Sequence, residues 1–140
     1  NWYESKFIVD HVKFSSMEQF MMYQKAITFQ DQTIAKEILQ IKDSAKIKLM
    51  GRQVRNYNDH IWNGIRQIVV YEGLVAKFSQ NEELKKQLKE TKTAILAECA
   101  VKDRIWGIGL SMKDLKRFDI TQWRGQNLLG YALMEVRKRL

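Results

Sequence analysis

The sequence predicts a mainly α protein: a single compact multi-helix domain over residues 1–140, with a short irregular or β amino-terminal segment. Three observations predict it. Proline is absent and glycine is scarce, at 7 of 140 residues. Apolar residues recur at helical spacing in several windows, and a Ser, Asp or Asn of the kind that caps a helix stands before most of them. With 45% hydrophobic and 29% charged residues the chain has the composition of a folded globular protein, and its length suffices to bury most of one core.

Taken in order, residues 1–13 alternate loosely, with Phe7 and Val9 on one side and Ile8 and Val12 on the other, as in a short hairpin or an irregular lead-in. Ser15-Ser16-Met17-Glu18 has the form of a capping box, Ser15 capping and Glu18 reaching back, and predicts a helix from about Ser16 to Phe29. On that helix Glu18 and Lys25, seven residues apart, share a face about two turns (~10 Å) from one another. Asp31 is placed to cap a second helix through Ile34 and Ile38, and Ser44 a third that ends at Gly51, a C-cap glycine followed by Arg52. Asn58 or Asp59 opens the longest helix, on which Ile61, Ile65, Ile68, Val69, Val75 and Phe78 follow helical spacing. Its glycines, Gly64 and Gly73, mark either close packing or a break near Gly73. Asn81 caps the next helix, to about Glu90. Ala94–Cys99 reads as a strand or buried segment, Asp114–Asp119 as a surface loop, and a final helix turns Leu128, Leu129, Ala132, Leu133, Val136 and Leu140 inward.

The stretch Glu98–Leu110 crowds two acids, Glu98 and Asp103, with Trp106, Gly107 and Gly109. Bare backbone beside an aromatic ring suits close approach of a ligand; a surface turn with capping acids is the alternative. The formal net charge of +8 favours an anionic partner such as a phosphate ester, a dinucleotide or a nucleic acid. Two histidines and one cysteine are too few for a zinc site, and neither a P-loop, nor a full dinucleotide fingerprint, nor a nucleophile elbow occurs. No apolar run reaches the ~20 residues of a membrane span and Asn1-Trp2-Tyr3-Glu4 has no signal-peptide pattern, which predicts a cytoplasmic protein with no membrane partner. What remains is a metal-free toolkit: carboxylates Glu18, Glu98 and Asp103, the amine of Lys25, Arg52 and Lys77 for anions, Trp106, Trp123 and Tyr3 for stacking, and the amides of Gln80, Asn81 and Asn127. It suits a reaction, without a cofactor, on an aromatic base joined to a phosphorylated sugar.

Six ordered blocks carry a resemblance. They are Glu18-Gln19-Phe20-Met21-Met22-Tyr23-Gln24-Lys25-Ala26; Gly51-Arg52; Lys77-Phe78-Ser79-Gln80-Asn81; Leu96-Ala97-Glu98; Asp103-Arg104-Ile105-Trp106-Gly107-Ile108-Gly109; and Trp123 to Gly130 with Leu133-Met134-Glu135-Val136-Arg137. Together they resemble the motifs of the YbiA-like, or NADAR, family. Asn1-Trp2-Tyr3 is similar to that family's amino-terminal element, and Gln19 departs from it where a histidine usually follows the glutamate. The resemblance implies a compact helical fold and an N-glycosidase that cuts the bond between a base nitrogen and ribose C1. The implied substrates are a riboflavin-pathway ribosylamino-pyrimidine phosphate or ADP-ribosylated guanine in nucleic acid. It implies Glu18, Lys25, Glu98 and Asp103 as catalytic candidates and Asn1, Tyr3, Arg52, Lys77, Gln80, Asn81, Trp106, Gly107, Trp123 and Asn127 as substrate-binding ones. Lys25 either attacks C1 or holds phosphate or ribose. The alternative function is a non-catalytic module that binds a nucleotide, ADP-ribose or nucleic acid.

Overall fold

The structure, a computed structural model, describes residues 5–140. The sequence-based expectations for Asn1 and Tyr3 therefore lie outside the described residues. The chain divides into two compact units, Asn1–Lys85 and Lys86–Leu140.

The first unit opens with a two-stranded antiparallel hairpin, β1 (Phe7–Val9) and β2 (Val12–Phe14), in register Phe7 to Phe14. Asp10 and His11 turn it with φ of 49° and 67°. Two consecutive positive φ values are what a tight hairpin between right-twisted strands demands, and Asp tolerates them better than most residues. Because the register brings Phe7 opposite Phe14, both rings fall on one face. They are buried there against Phe20 of the first helix, with centroids 5.1–5.8 Å apart.

Helix α1 (Met17–Thr28) starts one residue later than the capping box suggests. Ser16, not Ser15, is the N-cap: its hydroxyl accepts from Gln19 N, and the Gln19 side chain accepts in return from Ser15 N. The box is thus formed by Ser16 and Gln19, and Glu18 has no part in it. Helix α2 (Gln32–Ile38) is capped by Asp31 as expected, whereas α3 (Ser44–Gly51) is capped by Asp43 rather than Ser44. Asp43 wins because its longer carboxylate arm accepts from two amides, Ala45 N and Lys46 N. Gly51 lies inside the last turn of α3 rather than past its end. It is there because a Cβ would collide with Met22 Sδ of α1. Asp31 does a second service: its other carboxylate oxygen accepts from Arg55 N at 2.9 Å, tying the segment after α3 to the start of α2.

Helix α4 (Asp59–Ser79, capped by Asn58) runs unbroken through both glycines. Its inward stripe is Trp62, Val70, Gly73, Leu74 and Lys77, so Ile61 and Ile68, expected inside, are exposed. Periodicity alone leaves the phase of this long helix open; Trp62 and Gly73 set it. Trp62 joins a core of Ala26, Phe29, Ala35, Ile38, Ile47 and Val54, and Gly73 lets the Phe20 ring against the helix backbone.

Helix α5 (Glu82–Glu90) spans the boundary between the units. In the second unit residues 94–99 form neither a strand nor a buried segment: Ile95 is 58% exposed and the backbone is irregular. Two single 3-10 turns, Leu115–Phe118 and Ile120–Gln122, begin at Asp114 and Asp119, and α6 (Leu128–Arg139) closes the chain. Of its expected inward residues Leu129 and Val136 are fully buried. Among the described residues no helix is long and apolar enough to cross a membrane.

The two glycines of α4 make opposite predictions. A Cβ at Gly73 would lie 2.6 Å from two atoms of the Phe20 ring and 3.0 Å from Met17 Cε, whereas one at Gly64 meets nothing within 4 Å. Gly73→Ala is expected to destabilise by about 1–2 kcal/mol net of its helix-propensity gain, and Gly64→Ala to stabilise by up to about 1 kcal/mol. Urea denaturation of the two variants side by side measures both.

Candidate functional site

Helix α1 carries two ionisable side chains that burial shifts, one fully and one partly withdrawn from water. Glu18 is only 7% exposed, and burial raises its carboxyl above the ordinary value of 4.5, partly opposed by the positive charge of Lys48 on α3. Two turns further on, Lys25 is half-buried. Burial lowers its ammonium below the ordinary value, the Arg52 guanidinium lowers it further, and Asp59 opposes both. The Lys25 Nζ stands 4.4 Å from the centroid of the Tyr57 ring, and Tyr57 donates its hydroxyl to Asp59 Oδ1 at 2.7 Å. Tyr57 is itself held edge-on by Phe29, 5.3 Å away.

This cluster exists because the capping work at the start of α1 falls to other groups. Gln19 accepts from Ser15 and donates to the carbonyls of Ile38 and Ile41, which leaves Glu18 to face inward without a backbone amide to neutralise it. The structure places Lys48 beside Glu18, and Arg52, Tyr57 and Asp59 beside Lys25; of these neighbours Lys48, Tyr57 and Asp59 are ones that sequence reasoning missed. Lys48 was legible, since it lies four residues before Arg52 on the same helix face. Tyr57 carried no signal, because it sits in an irregular segment with no period to read.

The end of α4 holds three further candidates. Lys77 is 4% exposed, and burial lowers its ammonium below the ordinary value. Gln80 clamps the hairpin edge, accepting from Ile8 N at 2.7 Å and donating to Ile8 O at 2.8 Å, while Asn81 Nδ2 donates to Lys6 O and Lys77 O. Both amides are thus engaged with backbone. A separate cleft of about 470 Å³ opens beside the hairpin, lined by Phe7, Phe14, Leu39 and three lysines, and neither Glu18 nor Lys25 lines it.

In the second unit, segments 96–98, 104–108 and 124–129 are laced together by backbone hydrogen bonds. Asn127, fully buried with φ of 55°, is the clasp: Nδ2 donates to Leu96 O, and Oδ1 accepts from Glu98 N. Gly107 and Gly125 let the segments of this knot close, because a Cβ on Gly125 would strike Gly107 O. Asp103 Oδ1 accepts from both Ile105 N and Trp106 N, so its carboxylate fixes the turn that carries Trp106. Glu98 has its backbone pinned at both ends, by Asn127 and by Ile108 N, and its side chain is half-buried. Trp106 is half-buried, and Trp123 donates its Nε1–H to Arg117 O. Among the described residues no three His, Cys, Asp or Glu side chains converge as metal ligands.

Chemically, a buried carboxyl shifted upward and an amine shifted downward lie on one helix face, with a cation beside each. Each shift runs toward the form that general-acid or nucleophilic work requires, the protonated acid and the neutral amine. The upward shift also carries a cost in stability. Because the carboxyl of Glu18 is raised in the folded state, the folded protein binds more protons between 4.5 and that raised value, and stability falls as pH rises through this window. Glu18→Gln is therefore expected to raise the thermal midpoint at neutral pH and to leave it unchanged or lower below pH ~4. Melting curves across pH check the crossing.

Comparison with known proteins places these residues in context. The family model described as "NADAR domain" matches residues 1–140. The chain is 40% identical over 129 residues to N-glycosidase R617 of Acanthamoeba polyphaga mimivirus, covering 92% of this chain and 76% of that protein. It is 30% identical over 132 residues to N-glycosidase YbiA of Escherichia coli (strain K12), with 94% and 74% covered. The NMR structure of E. coli YbiA superposes with a TM-score of 0.80 at 29% identity over 99% of this chain and 74% of that one. A 30% match over the whole chain covers 34% of the riboflavin biosynthesis protein VVA0006 of Vibrio vulnificus (strain YJ016).

Proposed function

Because this chain belongs to the NADAR domain family and is an N-glycosidase of that family, we propose that it cuts the bond between a base nitrogen and ribose C1 in a phosphorylated ribosyl or ADP-ribosyl compound. The observation that carries the reading is the placement on one face of α1 of a buried Glu18, its carboxyl shifted upward, and of Lys25 under the Tyr57 ring, its ammonium shifted downward by burial and by Arg52. Cleavage of a C1–N bond builds positive charge on the sugar and negative charge on the departing base. Glu18 gives its proton to the base nitrogen as the bond breaks. Lys25, in its unprotonated form, bonds to C1 as the base leaves. One Nζ proton passes to the Glu18 carboxylate and from it to the ring oxygen as the C1–O bond opens onto a hydroxyl, leaving a protonated C=N link. Water then adds to that carbon and releases the sugar from the amine.

Arg52, with Lys48 one turn before it, is assigned to the phosphate side, where its planar guanidinium grips two oxygens at once. Lys77 is assigned to a second anionic group. Within the second unit Asp103 fixes the turn that carries Trp106 and Asn127 pins the backbone of Glu98, and the family resemblance is what proposes these four as site residues. Both a free ribosylamino-pyrimidine phosphate and ADP-ribosylated guanine in nucleic acid satisfy this chemistry. The relative named for riboflavin biosynthesis supports the first, and the excess of eight positive charges supports the second.

The test is turnover of a phosphoribosylamino-pyrimidine and, separately, of guanine-ADP-ribosylated DNA, with released product followed by mass spectrometry. Glu18→Gln is expected to lose about 10²–10⁴-fold in kcat, the usual size of a general-acid contribution. Borohydride added during turnover is expected to leave a sugar adduct on Lys25 that peptide mapping finds. Turnover that survives Lys25→Met, with no adduct in the parent protein, overturns the covalent route and assigns Lys25 to phosphate. Absence of turnover on both substrates by folded protein overturns the hydrolase reading in favour of a binding module.

A further inference from the structure

The segment between residues 108 and 124 of the second unit exposes four large apolar side chains. Met112, Leu115 and Phe118 are 72, 77 and 76% exposed, and Ile120 is 48% exposed. Leu115 and Phe118 are the first and last residues of a 3-10 turn, in which positions three apart eclipse, so both side chains point the same way. This is not slack chain. Asp114 Oδ1 accepts from Lys116 N, Arg117 donates from a guanidinium nitrogen to Asp114 O, and Trp123 Nε1 ties down Arg117 O. Asp119 accepts from Thr121 N and Oγ1 and from Gln122 Nε2. The two carboxylates of the segment are thus turned on its own donors. Its cations, Lys113, Lys116 and Arg117, outnumber them.

One contact gives the apolar tip its meaning. The Arg117 guanidinium carbon sits 4.1 Å from the centroid of the Phe118 ring. That covers one ring face with a pre-positioned cation and leaves most of the ring in water. A flat aromatic face beside an oriented guanidinium, with two lysines within five residues, is what a base and its phosphate together require. A duplex buries its base faces, so only a strand with unstacked bases can use this ring. An anionic bilayer would draw on the same cations but offers no aromatic face to stack on the ring, so it is the competitor that the test includes.

We propose that the 112–118 segment is a landing site for a single nucleic-acid strand, with a base stacked on Phe118 against Leu115 and backbone phosphates held by Lys113, Lys116 and Arg117. It is a surface for holding a polymeric substrate or partner, made of other residues than the Glu18–Lys25 pair that the proposed reaction uses. It rests on the N-glycosidase reading only for its purpose; strand binding is measured without turnover.

The experiment is fluorescence anisotropy with a labelled single-stranded DNA of about 12 nucleotides, within the usual span of such sites, with its duplex and anionic phosphatidylserine vesicles as competitors. Phe118→Ser and the Leu115→Ser/Phe118→Ser pair are expected to weaken strand binding about tenfold with an unchanged salt slope. Lys113→Ala/Lys116→Ala is expected to reduce that slope by about 1.4, roughly 0.7 for each phosphate no longer neutralised. Turnover of a free phosphoribosylamino-pyrimidine is the control. It is expected to be unaltered in the segment variants and lost in Glu18→Gln, so a failed enzyme reading and a failed strand site give different patterns. The proposal is overturned if the unaltered protein binds no strand, if duplex or vesicles compete better than the strand itself, or if the Phe118 and Leu115 variants, folded by circular dichroism, bind as the parent does.

Discussion

The saturated amide of Gln19 is the interaction on which the first unit depends. Its oxygen accepts from Ser15 and its nitrogen donates to two carbonyls, of Ile38 and Ile41, at 3.1 and 3.0 Å. It thereby fixes the start of α1 against the end of α2, and it does so with a neutral group. A charged residue in the same role would place a formal charge next to a buried carboxyl. With a neutral amide as the cap partner, desolvation is the largest influence on Glu18 and shifts its carboxyl upward against the opposing charge of Lys48. The histidine usual in the family at this position offers one hydrogen bond on each of two nitrogens. Gln19 offers two donors and an oxygen from one planar group, which suits a junction of three backbone segments.

A parallel logic governs the second unit. There Asn127 plays the part of Gln19, closing its amide on Leu96 and Glu98 while its backbone takes the left-handed conformation that starts α6. Each unit thus uses one buried, fully satisfied carboxamide to fix the backbone beside an acid. Such groups are expensive to leave half-bonded, so each locks one arrangement of its neighbours. The candidate acids differ accordingly in work: Asp103 is occupied with two amides, whereas Glu18 is not.

Much of the fold is legible in the sequence because local signals agree with the packing. Asp31 and Asn58 cap where their spacing says, and the hairpin falls in the stretch that alternates. The departures have physical causes. Ser15 and Ser16 are chemically equal, and only the packing of Met17 into the core decides between them. Gly51 has the look of a helix stop, but its missing side chain makes room for a sulfur atom on another helix, a demand that no local pattern encodes. The apolar run at 94–99 resembles a strand only if hydrophobicity is equated with burial; the backbone there instead feeds hydrogen bonds to Asn127 and Ile108. For the candidate site, Glu18 and Lys25 are readable as one helix face. Tyr57 is not, since it reaches Lys25 through tertiary folding of an irregular segment.

The tie between Asp31 and Arg55 N reaches beyond the corner it closes. Residues 52–58 contain no helix or strand and are anchored to the α1–α2 corner by that carboxylate and by the buried Val54. Tyr57 rides on this segment with its ring against the Lys25 amine. The cap of one short helix thereby also decides which aromatic face a lysine of α1 meets.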